Sequence, residues 1–103
     1  MELKHEIKKK LKELLNIFEK YGEKELDSYI SDIYYLLSLY SLNIIPFSRL
    51  KSESIDIINN WFPNNSRSGL NEFYFTNVHE SNVNINVKWR KLIDEINLRV
   101  DEL

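Results

Sequence analysis

Residues 3–22 read LKHEIKKKLKELLNIFEKYG, and their apolar positions, Leu3, Ile7, Leu11, Leu14, Phe18 and Tyr21, advance in alternating steps of four and three. That spacing keeps them on one side of an α-helix, and Lys4, Lys8, Lys12, Glu6 and Glu13 fall on its remaining faces. Gly22 follows at once, a residue that adopts the left-handed conformation closing many helices, so the first helix is predicted to end near Tyr21.

The same reading extends outward along the chain. A second helix is predicted from about Glu23, where Glu25 and Asp27 suit the positive end of a helix dipole, with a core stripe of Leu26, Ile30, Ile33, Leu37 and Tyr40. Tyr29, Tyr34, Tyr35, Leu36 and Leu39 widen its apolar arc almost all round, as in a helix packed between neighbours. Pro46 breaks the pattern and restricts Ile45 to extended geometry. A third helix then carries Leu50, Ile57, Ile58, Trp61 and Phe62, with Ser48 as its expected cap and Pro63 beyond its end.

Residues 63–69 are Pro, Asn, Ser, Arg and Gly in loop-forming order. Beyond them the pattern supports two readings. Residues 70–87, with Val83, Ile85 and Val87 alternating with asparagines, fit a short β-hairpin; Ile85, Trp89, Leu92, Ile93, Ile96, Val100 and Leu103 fit one helix face. A final helix over about 86–102 is expected, with 70–82 left open between the two. The fold class is mainly α: a compact bundle of about four helices in a single domain, residues 1–103, with a short hairpin between the third and fourth as the alternative for that segment.

A chain of 103 residues buries roughly 60–70% of the surface its unfolded form exposes, and 43% hydrophobic residues suffice to fill the core. The absence of cysteine excludes disulfide frameworks, thiolate metal sites and cysteine nucleophiles, and fits a reducing compartment; cytoplasm is the expectation. The lysines near the start are interrupted by Glu2, Glu6 and Glu13, with no uninterrupted apolar run behind them, so no cleaved leader is expected. The most apolar stretch, 33–47, holds Ser38, Ser41 and Asn43 and falls short of the roughly 20 residues a membrane span needs. Alanine and glutamine are absent and asparagine abundant, a bias consistent with AT-rich coding, so the asparagines carry little individual weight.

No constellation in the sequence carries catalysis. His5 and His79 have no second histidine at ligand spacing, and Gly22 and Gly69 stand too far apart for a phosphate-cradling loop. No serine lies in a nucleophile-elbow context, and the carboxylates read as solvated surface. Neither enzyme activity nor a cofactor or metal is expected. A net charge of -2 argues against a general nucleic-acid binder, and the cluster Lys8, Lys9 and Lys10 is partly neutralised by neighbouring glutamates, so neither nucleic acid nor membrane is the expected partner.

What remains is protein binding. Glu23, Glu25, Asp27 and Asp32 concentrate acid at the start of the second helix, where complementary charge would speed encounter with a basic partner. Tyr and Trp exceed what a small helical core needs, and these residues favour surfaces that are apolar yet hydrogen-bond.

The run Ser68-Gly69-Leu70-Asn71-Glu72-Phe73-Tyr74, between a helix and a final helix, resembles the Gly-Ser-Leu-Asn-Asp type segment of a small bacterial family of unknown function. Members of that family resemble the immunity proteins encoded beside secreted bacterial toxins. Here Glu72 replaces the aspartate, and Pro63-Asn64-Asn65 stands where glycines are usual. The resemblance implies a cytoplasmic protein that binds and neutralises a cognate toxin, and assigns no residues; the candidate contacts, taken from the residues themselves, are Glu23, Glu25, Asp27, Asp32, Asn71 and Glu72. The alternatives are a structural homo-oligomer or adaptor subunit hiding its extra aromatics in an interface, and, third, a nucleic-acid-binding regulator using the lysines of the first helix.

Overall fold

Leucine and isoleucine at helical spacing need a partner surface, and in the computed structural model each helix finds two. The structure describes residues 2–21, 24–63, 69–76 and 82–103, with the side chains of Glu2, Asn82 and Val83 outside that description. Helix α1 spans Glu2–Tyr21, a single 3-10 turn Lys24–Leu26 leads into α2 at Asp27–Ser41, α3 spans Phe47–Trp61 and α4 spans Asn82–Asp101. Helix α1 packs on α2 and α4, and α3 packs on the same two from the other side, so the chain runs up, down, up and down around one core. Its radius of gyration, 13.7 Å, is that of an ordinary domain of this length. None of the described helices is long and apolar enough to cross a membrane.

The α1 stripe buries as its spacing predicts. Ile7, Leu11, Leu14 and Phe18 are buried, with Leu3 and Tyr21 half-buried at its two ends. In α2 the buried sector is rotated from the expected stripe: Ile33, Leu36, Leu39 and Tyr40 are buried, whereas Ile30 and Leu37 are only partly covered. The rotation follows from the position of α2 between two neighbours, α1 and α3, which together cover a wider sector than one stripe. Complete burial of one such aliphatic side chain contributes about 1.5–3 kcal/mol. Trp61, Trp89, Tyr40, Phe18 and Phe75 are the largest side chains wholly inside.

Three boundaries differ from the sequence expectation. The second α-helix starts at Asp27 rather than near Glu23, because the preceding residues wind as a tighter turn. Helix α3 begins at Phe47, one residue before Ser48, the expected cap; the Pro46 backbone is extended and its carbonyl accepts from Arg49 N and Leu50 N, each at 3.1 Å. Helix α4 starts at Asn82, ahead of the expected 86, so Val83, Ile85 and Val87 are helical rather than alternating along a strand. No strand occurs among the described residues. Gly22 and residues 77–81 of the hairpin alternative lie outside them.

One polar pair lies inside the α2–α3 contact. Tyr40 Oη and Ser54 Oγ are 2.7 Å apart, and Ser54 Oγ also donates to the Leu50 carbonyl at 2.7 Å. Serine has one proton, so the tyrosine donates to the serine and the serine donates to the backbone. Burial raises the Tyr40 phenol above its ordinary 10.0, against a smaller lowering by the Ser54 bond. Its neutral form therefore favours the fold below pH 10.0, and that contribution fades as pH rises through the raised folded value. Substituting Ser54→Ala strands a buried phenol and is expected to cost about 1–3 kcal/mol. Tyr40→Phe leaves the serine bonded to Leu50 and should cost less. Urea unfolding of both variants measures the difference; equal losses would contradict this donor order.

Candidate functional site

Residues 69–76 close one end of the bundle. Gly69 has φ 65°, in the left-handed region, and a Cβ there would press on the Trp61 carbonyl and stand 2.7 Å from Pro63 Cδ. The turn lets Leu70 N donate to the Trp61 carbonyl at 2.6 Å, and Asn71 Nδ2 donates to the Pro63 carbonyl at 2.7 Å. Leu70, Phe73 and Phe75 then point inward and are buried, while Glu72 and Tyr74 are exposed between them. Phe75 packs among Phe18, Tyr21 and Phe73 at ring-centroid distances of 6.3, 5.2 and 4.9 Å.

Two residues of α4 hold this plug in place, neither of which sequence reasoning singled out. Buried Asn86 accepts from Phe75 N at 2.9 Å through Oδ1 and donates from Nδ2 to the Phe75 carbonyl at 3.1 Å. It thereby treats the extended backbone as a neighbouring strand would. The same Oδ1 accepts from Trp89 Nε1 at 2.9 Å. Arg90 donates to the Phe73 carbonyl at 2.8 Å, and its guanidinium lies 4.3 Å from the centroid of the Trp89 ring. The signal for Asn86 was its place inside the apolar face of α4, between Ile85 and Trp89, where a polar residue must bring its own partners.

The structure sorts the candidate contacts into anchored and outward-facing groups. Asp32 is half-covered and accepts from Trp61 Nε1 at 2.8 Å, tying α2 to α3. Asn71 is committed to Pro63. Glu25, Asp27 and Glu72 are exposed, and all three stand at the end of the bundle that the plug closes. Glu23 lies outside the described residues. The electrostatics of this end show in Tyr29, whose phenol is raised above 10.0 by burial first and then by the Asp32 and Glu25 carboxylates. Asp32→Asn keeps an acceptor for the indole and is expected to change stability little, whereas Asp32→Ala leaves Trp61 Nε1 without it and should lose about 1–2 kcal/mol. Thermal melts distinguish the two, and equal losses would assign the effect to charge.

Two exposed tyrosines extend this surface along α2. Tyr34, 50% exposed, donates to Glu19 of α1 at 2.7 Å, and Tyr35, 44% exposed, donates to Glu53 of α3 at 3.2 Å. The Glu19 bond holds the Tyr34 phenol proton and pushes its pKa above 10.0. Each carboxylate fixes a ring that would otherwise swing freely, so α2 presents pre-ordered aromatic edges flanked by negative charge.

The opposite end has a different character. A groove of about 800 Å³ opens between α1 and the end of α2, with Lys4, His5, Lys8 and Ser41 on its walls. Beside it the connection after α2 exposes Leu42, Phe47 and Ile44, the last 86% exposed. Among the described residues no cluster of three or more His, Asp or Glu side chains is placed to hold a metal ion.

Compared with protein-family models, curated proteins and solved structures, the chain matches none.

Proposed function

We propose that this chain is a cytoplasmic immunity protein, which neutralises a cognate bacterial toxin by binding it in a stoichiometric complex and covering its active site or an essential surface. The observation that carries the reading is the construction of the plugged end. Hydrogen bonds and buried side chains hold residues 69–75, and what the segment leaves facing solvent is Glu72, Tyr74 and Thr76, at the same end as Glu25 and Asp27, with Lys24 among them. A surface held by folding that carries three exposed carboxylates and a tyrosine suits a basic protein partner, because the ordering cost of binding is met in folding and charge steers the encounter. An interface of standard size covers roughly 800 Å² on each side, which the end of the bundle and the adjoining face of α2 can supply.

The test is capture followed by protection. A tagged chain is used to isolate a stoichiometric partner from lysate of the native cells. That partner is then expressed alone and together with the chain. Growth arrest by the partner and recovery on co-expression support the reading; a harmless partner, or arrest that persists, sinks it. For the purified pair, Glu25→Lys, Asp27→Lys and Glu72→Lys combined are expected to slow association about tenfold or more at low salt. An unchanged on-rate removes this end from the interface.

A further inference from the structure

The outer face shared by α1 and α2 is divided by charge along its length. On α1 the positions lying over the α2 seam are Lys8, Lys12 and Glu19, with His5 and Asn16 just outside them. Lys4, His5 and Lys8 stand beside the last turn of α2, where Lys4 Nζ donates to the Leu42 carbonyl at 3.0 Å. His5, Lys8, Lys9 and Lys12 line a second, smaller hollow immediately alongside. At the other end Glu19 meets Tyr34, and Asp27 opens α2 about two turns further on, with Lys20 and Lys24 exposed at the margin. Lys8 and Glu19 are about 16 Å apart along the helix at 1.5 Å per residue.

Between the cationic and anionic ends the face is neutral. Asn16 and Ser38 are exposed there and carry no charge, while Tyr34 stands beside Glu19 and Ser31 lies beyond it toward Asp27. Lys8, Lys12 and Asp27 have no ion-pair partner among the described residues, whereas Lys10, Glu6 and Arg99 on the α1–α4 side are paired within the chain.

We propose that this face docks a second copy of the chain in antiparallel register, related by a two-fold axis passing near Asn16 and Ser38. In a two-fold interface each residue near the axis meets its own counterpart, so the centre must be free of like charges; residues far from the axis meet those at the opposite end. The face satisfies both conditions. Lys8 and Lys12 of one copy are brought to Glu19 and Asp27 of the other, twice over, and the uncharged Asn16 and Ser38 meet near the axis. The area is adequate: a helix pair about 30 Å long and 20 Å wide offers roughly 600 Å² per copy, at the lower limit for a specific interface. Such a dimer is therefore weak and salt-sensitive, with pairs exposed at both ends. The proposal does not rest on the toxin reading, although Asp27 and Tyr34 belong to both surfaces and would be covered in one complex while they serve the other.

The test is sedimentation equilibrium of the purified chain alone. At low salt the mass is expected to approach twice the 12.4 kDa of one chain as concentration rises, and to fall back toward a single chain at high salt. Two variants then read the geometry: Lys8→Glu with Lys12→Glu sets carboxylate against carboxylate in the proposed pairs, and Glu19→Lys with Asp27→Lys sets ammonium against ammonium. Each alone is expected to be monomeric, and an equal mixture to recover a dimer containing one of each. A wild-type chain that stays monomeric at low salt overturns the proposal without recourse to any variant. So does either variant that still dimerises alone, or a mixture of two folded variants, verified by circular dichroism, that fails to associate.

Discussion

Replacing Asn86 with leucine is expected to lower stability by about 3–5 kcal/mol, because three buried polar groups lose their partner at once and each costs about 1–3 kcal/mol unsatisfied. The groups are the Phe75 N–H, the Phe75 carbonyl and the Trp89 indole N–H. Leucine repeats the branched outline of asparagine and opens no cavity, so the loss is chiefly one of hydrogen bonding. For a domain of this size the melting temperature should fall by about 15–30 °C. Asn84, two residues earlier and exposed, supplies the control: Asn84→Leu should stay within about 0.5 kcal/mol. Thermal unfolding followed by tryptophan fluorescence reads both. A loss under about 1 kcal/mol for Asn86→Leu would mean that the plug is not held as the geometry indicates.

Gly69→Ala is expected to cost about 2–4 kcal/mol, from a backbone conformation disfavoured for residues with a Cβ and from pressure on the Trp61 carbonyl that Leu70 N must reach. Gly69→Asn separates the two causes. Asparagine enters the left-handed region more readily than alanine but brings the same Cβ. Because the contacts with Trp61 and Pro63 are closer than van der Waals packing allows, the two variants should lose similar amounts. A markedly milder asparagine variant would make backbone conformation the main cause. Either substitution should also reduce capture of the proposed partner, since Glu72 and Tyr74 follow within the same turn and extended segment.

The helices were legible because their information is local. Leu3, Ile7, Leu11, Leu14, Phe18 and Tyr21 report a face by spacing alone, and Trp89, Leu92, Ile93, Ile96 and Val100 do the same for α4. What spacing does not carry is which way a two-sided helix turns, and Leu36 and Leu39 in α2 are buried because α2 has a neighbour on each side. The start of α3 escaped for another reason: Pro46 serves as the cap position with no side-chain hydrogen bond, so there is no capping residue to read.

The plug was the least legible part. Leu70, Phe73 and Phe75 have neither helical nor strict strand spacing, and their conformation is dictated by Trp61, Asn86 and Arg90 from elsewhere in the chain. Composition pointed away from Asn86, since a chain rich in asparagine gives no reason to single one out. Of the candidate contacts, Asp32 and Asn71 were selected for chemical type, and the structure gives both internal partners, Trp61 and Pro63. Glu25, Asp27 and Glu72 keep the exposure that a contact role requires.

The seam between α1 and α4 has a consequence for how the molecule is made. It is the most extensive helix contact, and it joins the two helices farthest apart in sequence, secured by Lys10 to Glu95 and Arg99 to Glu6. During synthesis α1 emerges first, yet its main cover is not made until residues 82–101 have left the ribosome. For that interval Ile7, Leu11, Leu14 and Phe18 have only α2 to shelter them. Until then the nascent chain carries α1 with one apolar flank open, the form most exposed to chaperones and to aggregation.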